Sequence, residues 1–369
     1  MIQQINSGSV CFLNYNLAFG GTEKVIVSLA NHLAASGRSV SILIMTPDHD
    51  FKDFLNPSVE VIHLNISSMK QVVPSLLKLL IRRKFDNFIA NVWPLTALSF
   101  VVKICSRRTK LIYIEHCNLS EQFKSRGSLF KFIQNVSIFI FYKFSDKVIS
   151  VSEGVKQDLI NKGVKKEKIE TIYNPIIISK VSAMDKSNPV VVSWLDSNKI
   201  KLIAVGRLKP QKNFTNLIKA FAIAKNKLGL DMSLLILGDG SEEKQLRNQI
   251  DLLNLHEDIL LGGWVHDPLP YVKESDLFVL SSDYEGFGVV IAEAMSQGVN
   301  VVSTDCKSGP SEILQGDKFG TLCEVNNPAS LADAIVQSLK NPIDSKDLIE
   351  RAKDFSETKI GNLYEEMLI

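Results

Sequence analysis

Ser281-Ser282-Asp283-Tyr284-Glu285-Gly286-Phe287-Gly288-Val289-Val290-Ile291-Ala292-Glu293-Ala294-Met295 is the stretch that decides the fold. The apolar run Leu277–Leu280 before it reads as a buried strand; a turn with two glycines follows, and a helix begins near Val289. Ligands of open α/β sheets bind outside the carboxyl ends of strands. The amides at a helix start have no partner within the helix and carry partial positive charge, so they suit a phosphate. Gly286 and Gly288 let that phosphate approach the backbone closely. Glu285 is expected to project from the turn, with Glu293 about one turn inside the helix. A carboxylate accepts two hydrogen bonds from vicinal hydroxyls. Two carboxylates beside a phosphate site therefore fit a molecule with a sugar at each end of a diphosphate. A capped helix with a solvated Glu pair is the plainer alternative.

The same alternation extends outward in both directions. Strands are expected at Val10–Asn14, Val40–Met45, Val59–Leu64, Asn87–Val92, Lys110–Glu115 and Lys147–Val151 in the first half. In the second half they are expected at Lys201–Val205, Ser233–Leu237, Ile259–Leu261, Leu277–Leu280 and Asn300–Ser303. Short apolar runs of this kind mark strands buried on both faces. Helices lie between them, such as Thr22–Ser36 closed by Gly37 and Asn213–Leu228 closed by Gly229. Strand–helix alternation in both halves predicts two doubly wound, Rossmann-like parallel-sheet domains. The polar stretch 175–198, with Pro175 and Pro189, breaks the rhythm. The expected divisions are a first domain at 1–178, a linker at 179–199, a second domain at 200–352 and a C-terminal helix at 353–369 that crosses back to the first domain.

Other strand ends carry chemistry of the same kind. In Val205-Gly206-Arg207-Leu208-Lys209-Pro210-Gln211-Lys212-Asn213 a strand ends in glycine and cations precede a helix capped by Asn213. Arg207 offers a planar fork of donors and Lys212 a point charge, a pair suited to a diphosphate or to a departing nucleoside diphosphate. A basic surface turn is the alternative. Gly20-Gly21 follows the first strand and leads into a helix expected to be capped by Thr22. It is not the G-x-G-x-x-G dinucleotide fingerprint. His116 follows the strand Lys110–Glu115 and could touch a sugar hydroxyl or the reaction centre, although a lone His is more often structural. Asp48-His49-Asp50 could hold a divalent ion but lies in a polar loop without a phosphate turn, and reads as solvated.

Composition sets bounds on these readings. The chain has 369 residues, 45% hydrophobic and 22% charged, which fits two globular domains. Net charge is +2, but residues 1–180 carry +10 and residues 181–369 carry −8. A basic first half points to a polyanionic partner such as an anionic membrane surface. Nucleic acid is disfavoured, because no recognition motif accompanies the charge. Cys11, Cys105, Cys117, Cys306 and Cys323 have neither metal-ligand nor redox spacing and read as free thiols in a reducing compartment. The first residues lack the pattern of a secretory signal, and no run of about 18 uncharged apolar residues suits a spanning helix. The expected location is cytoplasmic, either free or peripheral on the inner face of the membrane.

These motifs in this order resemble glycosyltransferase family 4, of GT-B fold, over nearly the whole chain. The core of the resemblance is the Glu-x7-Glu pattern from Glu285 to Glu293 within EGFGVVIAEAMSQGVNVVST. Around it stand VGRLKPQKNFTNLIKAF, LLILGDGSEEKQL, VSEGVKQDLI, IYNPI and the early GGTEKV. The resemblance implies two domains facing a cleft, a nucleotide-sugar donor and transfer with retention, without an active-site metal or other cofactor. It implies that Glu293 binds the donor ribose and Glu285 the transferred sugar. Arg207, Lys212 and the amides of Phe287, Gly288 and Val289 would bind the diphosphate. Gly20 and Gly21 would face that diphosphate, His116 would sit by the reacting sugar, and Gly238 and Trp264-Val265 would lie near the nucleoside. DCKSGPSEIL is similar to bacterial members that build capsule, O-antigen or lipid-linked oligosaccharides, several of them using UDP-N-acetylhexosamines. Here Ser308 stands where many members have glycine.

The acceptor is read from the first half. Leu76–Lys84 and Lys124–Lys147 interleave Lys and Arg with Phe, Ile, Leu and Tyr. That pattern suits a helix lying on an anionic membrane, and a lipid-linked saccharide acceptor would explain it. Core packing with solvated charges explains it equally. Two rival functions remain: a GT-B nucleotide-sugar epimerase, and a non-enzymatic module that binds anionic polymers. The first would not be expected to carry the early Gly-Gly loop or the Glu-x7-Glu pattern. The second leaves the phosphate turns of the acidic half without a role.

Overall fold

The computed structural model of the chain describes residues 8–18, 20–46, 50–177 and 183–368. The chain divides into two compact units, Met1–Ile177 with Ser356–Ile369, and Ile178–Phe355.

The first unit is built on β1 (Val10–Asn14), β2 (Val40–Ile44), β3 (Glu60–His63), β4 (Asn87–Asn91), β5 (Lys110–Glu115), β6 (Lys147–Ser150) and β7 (Ile169–Thr171). They form one parallel sheet in the order β3-β2-β1-β4-β5-β6-β7. β1, β2 and β4 are buried at every residue, the condition under which a strand reads as a continuous apolar run. In register, Phe12 stands between Ile42 and Ile89. The edge strand β3 instead exposes Glu60 and His63, and Arg83 pairs with Glu60 at 2.6 Å; charge on an edge discourages pairing with another chain. The helix Gly21–Ala35 buries Val25, Ile26, Leu29 and Leu33 at helical spacing. The C-terminal helix Glu357–Leu368 packs on it: Tyr364 is fully buried and Glu365 meets His32 at 3.4 Å. Ile176 bridges to Ser356, so the last helix belongs to the first unit.

The second unit holds β8 (Ile200–Val205), β9 (Met232–Leu237), β10 (Ile259–Gly263), β11 (Leu277–Leu280), β12 (Asn300–Thr304) and β13 (Thr321–Cys323). They too are parallel, in the order β10-β9-β8-β11-β12-β13. One face carries a core of Leu202, Leu234, Ile236 and Val279 against Phe214, Leu217 and Phe221 of the helix Phe214–Leu228. Asn213 caps that helix through Asn216 N–H at 3.2 Å, and Gly229 ends it in the left-handed conformation.

The eleven strands expected from the sequence are present to within a residue or two at either end. β7 and β13, three residues each at the two sheet edges, were not among them. The polar stretch 175–198 is not a plain connection. It contains the helix Pro189–Leu195, capped by Asn188 at Val190 N–H (3.0 Å), which buries Trp194 and packs on β9 and β10. Among the described residues no helix is long and apolar enough to cross a membrane.

In each sheet the strand order reverses once, between β1 and β4 and between β8 and β11. At such a point neighbouring helices diverge to opposite faces and leave a crevice at the carboxyl ends.

Candidate functional site

Trp264 and Val265 follow β10, Gly238 follows β9, Gly206 and Arg207 follow β8, and the loop to Glu285 follows β11. Those four strands are neighbours, so the residues line up along one sheet edge. At about 4.8 Å per strand the row spans about 14 Å. Its backbone is tied across: Gly238 N–H donates to the Gly263 carbonyl at 2.8 Å, and Gly206 N–H to the Leu237 carbonyl at 3.0 Å. Gly238 has φ +138°, and a Cβ there would fall on the Gly206 carbonyl, so only glycine fits. Trp264 is 47% exposed at the end of the row, its ring 6.2 Å from that of His266, edge to face.

The β8–β11 switch point holds the charges. Lys212 Nζ donates to Glu285 Oε1 at 2.6 Å, and Ser282 Oγ donates to the same oxygen at 2.6 Å. Glu285 is 8% exposed. It does not project from the turn as expected, because one cation and one hydroxyl replace its hydration with charge-assisted hydrogen bonds. The two loops are joined further: Asp283 N–H donates to the Gln211 carbonyl at 2.9 Å, Gln211 Nε2 to the Tyr284 carbonyl at 2.9 Å, and Ser281 Oγ to the Lys212 carbonyl at 2.7 Å. Thr304 Oγ1, from β12, donates to the Ser282 carbonyl at 2.6 Å. Lys212 is thus engaged at rest, whereas Arg207 is exposed.

The helix Val289–Ser296 starts where the sequence placed it, after Gly288 (φ +91°), and no side chain caps it. Gly286, Phe287 and Gly288 are buried in the turn, Val289 is half-buried, and Glu293 lies 6% exposed on the helix. Gly309, φ +96°, stands against this turn so closely that a Cβ would fall on the Phe287 carbonyl. Ser308, beside it, is buried. Burial, and then the charge of Glu285, holds the Cys306 thiol far above its ordinary range, so it is inert as a nucleophile.

The first unit's switch point is of another character. Gly20, not Thr22, is the N-cap of the helix Gly21–Ala35, in extended conformation and without a side-chain cap. Among the described residues nothing would meet a Cβ on Gly21 within 4 Å, whereas one on Gly20 would fall on the Glu23 carboxylate. His116, just past β5, is 5% exposed, and its Nε2 lies 3.2 Å from Asn91 Oδ1 at the end of β4. Asn91 Nδ2 donates to the Leu13 carbonyl of β1 at 3.1 Å, which leaves its oxygen to accept from His116. The imidazole is therefore neutral with its proton on Nε2, and burial lowers its pKa to about 4. Its Nδ1 is buried with no partner among the described residues.

Glu115, immediately before it, was missed. It is fully buried and its pKa is raised by burial to about 7. As the last residue of a strand it looked like ordinary sheet; only its charge amid an apolar run could have marked it. Of Asp48-His49-Asp50, the first two lie outside the described residues, and Asp50 N–H donates to the Leu17 carbonyl at 3.0 Å.

Known proteins are similar to this chain over nearly its whole length. A curated relative from Campylobacter jejuni, an N-acetylgalactosamine-N,N'-diacetylbacillosaminyl-diphospho-undecaprenol 4-alpha-N-acetylgalactosaminyltransferase, is 27% identical over 94% of this chain and 95% of its own. A lipopolysaccharide 1,6-galactosyltransferase of Escherichia coli is 31% identical over 48% of each chain. The crystal structure of Anabaena HepE in complex with UDP superposes with TM-score 0.80 at 24% identity, covering 98% of this chain and 99% of that one. The family model described as Glycosyltransferase Family 4 matches residues 19–180, and the one described as Glycosyl transferases group 1 matches residues 191–355. With one parallel sheet under each match, the chain is a glycosyltransferase of GT-B fold and belongs to glycosyltransferase family 4.

Proposed function

We propose that the protein moves a hexose or N-acetylhexosamine from a UDP-sugar to a saccharide or lipid-linked acceptor, with retention of anomeric configuration, in bacterial surface-glycan synthesis. The observation that carries the reading is Glu285, held by Lys212 and Ser282 beside the uncapped helix start at Val289. On this reading the carboxylate is for sugar hydroxyls and the turn beside it is for phosphate. In this reading Glu293 takes the ribose and Glu285 the transferred sugar. Arg207, Lys212 and the amides of Phe287, Gly288 and Val289 take the diphosphate, with Gly238, Trp264 and Val265 near the base. Gly20, Gly21 and His116 serve the same reaction from the first unit. The acceptor hydroxyl attacks on the face the nucleotide leaves, and a donor phosphate oxygen takes its proton. The leaving charge falls on protein cations and amides, so no metal or other cofactor is required and chelator leaves turnover unchanged. UDP is supported by the HepE complex and a lipid-linked acceptor by the Campylobacter relative.

Peripheral membrane contact on the cytoplasmic side is part of the proposal. The helix Ser128–Phe141 turns Leu129, Phe132, Ile133, Phe139 and Ile140 to solvent, each at least 44% exposed. A hollow of about 260 Å³ beside it is lined by Phe132, Val136 and Phe139 with Lys162. Lys124, Arg126, Lys131 and Lys143 flank this face, and residues 122–145 contain no acid. Apolar side chains ringed by cations suit an anionic bilayer.

The deciding test is thermal unfolding against a panel of nucleoside diphosphates and their sugars. A ligand at about 100 times its Kd adds about 2.7 kcal/mol of stability. A rise in Tm with uridine compounds, lost in Glu293→Ala, is expected. No rise with any nucleotide, in folded protein, would overturn the donor site and favour a polymer-binding module.

A further inference from the structure

Glu115 has no role in the reaction as proposed, yet it is the most connected buried acid of the first unit. Its carboxylate accepts from Thr96 Oγ1 at 2.9 Å, from Trp93 N–H at 3.3 Å and from the Tyr142 hydroxyl. No Lys or Arg pairs with it among the described residues. Thr96 Oγ1 and the Tyr142 hydroxyl also lie 2.7 Å from each other, so the two hydroxyls and one carboxylate oxygen form a triangle of three contacts. The donors come from three places. Trp93 begins the turn after β4, Thr96 sits in the short helix Leu95–Leu98, and Tyr142 is the foot of the exposed helix Ser128–Phe141. Trp93 itself reaches that helix: its Nε1 donates to Ser137 Oγ at 2.9 Å, and its ring lies 5.6 Å from Phe130, edge to face. His116 is the next residue along the chain, bonded to Asn91, two residues before Trp93.

We propose that Glu115 is a positioning residue: one buried carboxylate fixes the strand end that carries His116 and ties it to the turn at Trp93 and to the foot of the apolar helix. A helix seated on a surface and the imidazole at the end of β5 are then parts of one hydrogen-bonded unit. The ionised carboxylate can take both hydroxyl protons, which leaves Thr96 and Tyr142 lone pair to lone pair; protonated, it supplies the third proton and the three oxygens close into a ring, so the hydrogen bonds of the unit change and His116 shifts with them. The other groups facing Glu115 are Tyr142 and Tyr113, both held neutral by burial, Asp158, which repels the carboxylate, and His116, which is neutral above about pH 4. The two tyrosines and His116 keep their neutral forms through neutrality. Any bearing on sugar transfer rests on the function proposed above; the coupling itself does not.

The test is a pH titration of the full chain labelled with 15N at its six histidines, with His116 assigned by its loss in His116→Asn. The expected His116 signal stays that of a neutral Nε2–H imidazole from about pH 6 to 9 but moves with a midpoint near 7, the range to which burial raises Glu115. In Glu115→Gln the movement is absent. Tyr142→Phe removes one donor to the carboxylate and raises the midpoint by about one pH unit. A flat His116 signal in the wild-type chain, or the same movement in Glu115→Gln, overturns the proposal. Should Glu115→Gln fail to fold, an unmoved midpoint in Tyr142→Phe overturns it instead. A coupled His116 whose replacement leaves transfer unchanged would leave the coupling standing and remove His116 from the reaction, so the two readings fail separately.

Discussion

The two sheets reverse their strand order at equivalent points and put different chemistry there. At β8–β11 the loops exchange ion-pair, side-chain and backbone hydrogen bonds around Glu285 and Lys212. At β1–β4, and at β5 beside it, no ion pair joins the strand ends among the described residues: Asn91, His116 and a carbonyl of β1 are bonded to one another, and Glu115 takes uncharged donors. Topology supplies a crevice at both places; the residues decide whether a cation–carboxylate pair or an uncharged imidazole stands in it. A charged crevice suits a ligand that brings its own charge and competes for Lys212. A neutral, buried imidazole offers a hydrogen bond without altering the local field.

The largest expected effect separates the two directly. Glu285→Gln keeps an acceptor for Lys212 and Ser282 but loses the charge, and turnover with the donor that raises Tm is expected to fall about 100- to 1000-fold. Lys212→Met leaves Glu285 buried beside Ser282 alone, and should in addition cost about 3 kcal/mol in denaturant unfolding. If both variants turn over like wild type, the charged switch point is not the donor site.

The second effect sets two adjacent residues at the end of β5 against each other. Burial raises Glu115 from 4.5 to about 7. Its contribution to stability is therefore full below about 4.5 and lost as pH rises through about 7. Burial lowers His116 from 6.5 to about 4. Its contribution is present above about 6.5 and lost as pH falls through about 4. Between about 4.5 and 6.5 the slopes oppose and largely cancel. Glu115→Gln should unmask the acid-side loss and His116→Asn the opposite slope, each by up to about 3 kcal/mol relative to wild type. Parallel stability–pH curves for the three proteins would show that neither residue titrates as its burial dictates.

Much of this was legible in the sequence because parallel strands buried on both faces must be apolar throughout. The runs at Val10–Asn14 and Leu277–Leu280 carry that signature whole, and the glycine turns after them mark the carboxyl ends. β7 and β13 escaped because three residues at a sheet edge have no period to read, and β7 begins with Ile169-Glu170-Thr171, a half-polar triplet. The helix at Pro189–Leu195 escaped because seven residues among polar neighbours look like a linker until Trp194 is seen to need a core. At the site, residue types were readable and partners were not. Glu285 could be singled out from its spacing to Glu293, but Ser282 and Lys212 meet it only once two loops are folded side by side. Glu115 shows the reverse limit: its partners Thr96 and Tyr142 lie 19 and 27 residues away on either side, and no local pattern joins them.

The smallest effect probes how the laced crevice is held. Asn213 has φ +46° and ψ +47°, caps the helix Phe214–Leu228, and donates from Nδ2 to Asp283 Oδ1 at 2.7 Å. It thus joins the loop after β8 to the loop after β11. Asn213→Ala loses the cap and forces a Cβ-bearing residue without a local hydrogen bond into the left-handed region, and should cost about 2 kcal/mol. Asn213→Gly loses the side chain but relieves the backbone, and as a cap alone should cost only a few tenths of a kcal/mol. Any excess in the glycine variant measures the ties of Nδ2 to Asp283 and, at 3.3 Å, to Asn326 Oδ1. If that excess is zero and nucleotide affinity is unchanged, the loops are held by Gln211, Ser281 and the Lys212–Glu285 pair without it. If affinity falls with little loss of stability, Asn213 sets the spacing of the two loops that the diphosphate must bridge, and the lacing is part of the site rather than of the fold.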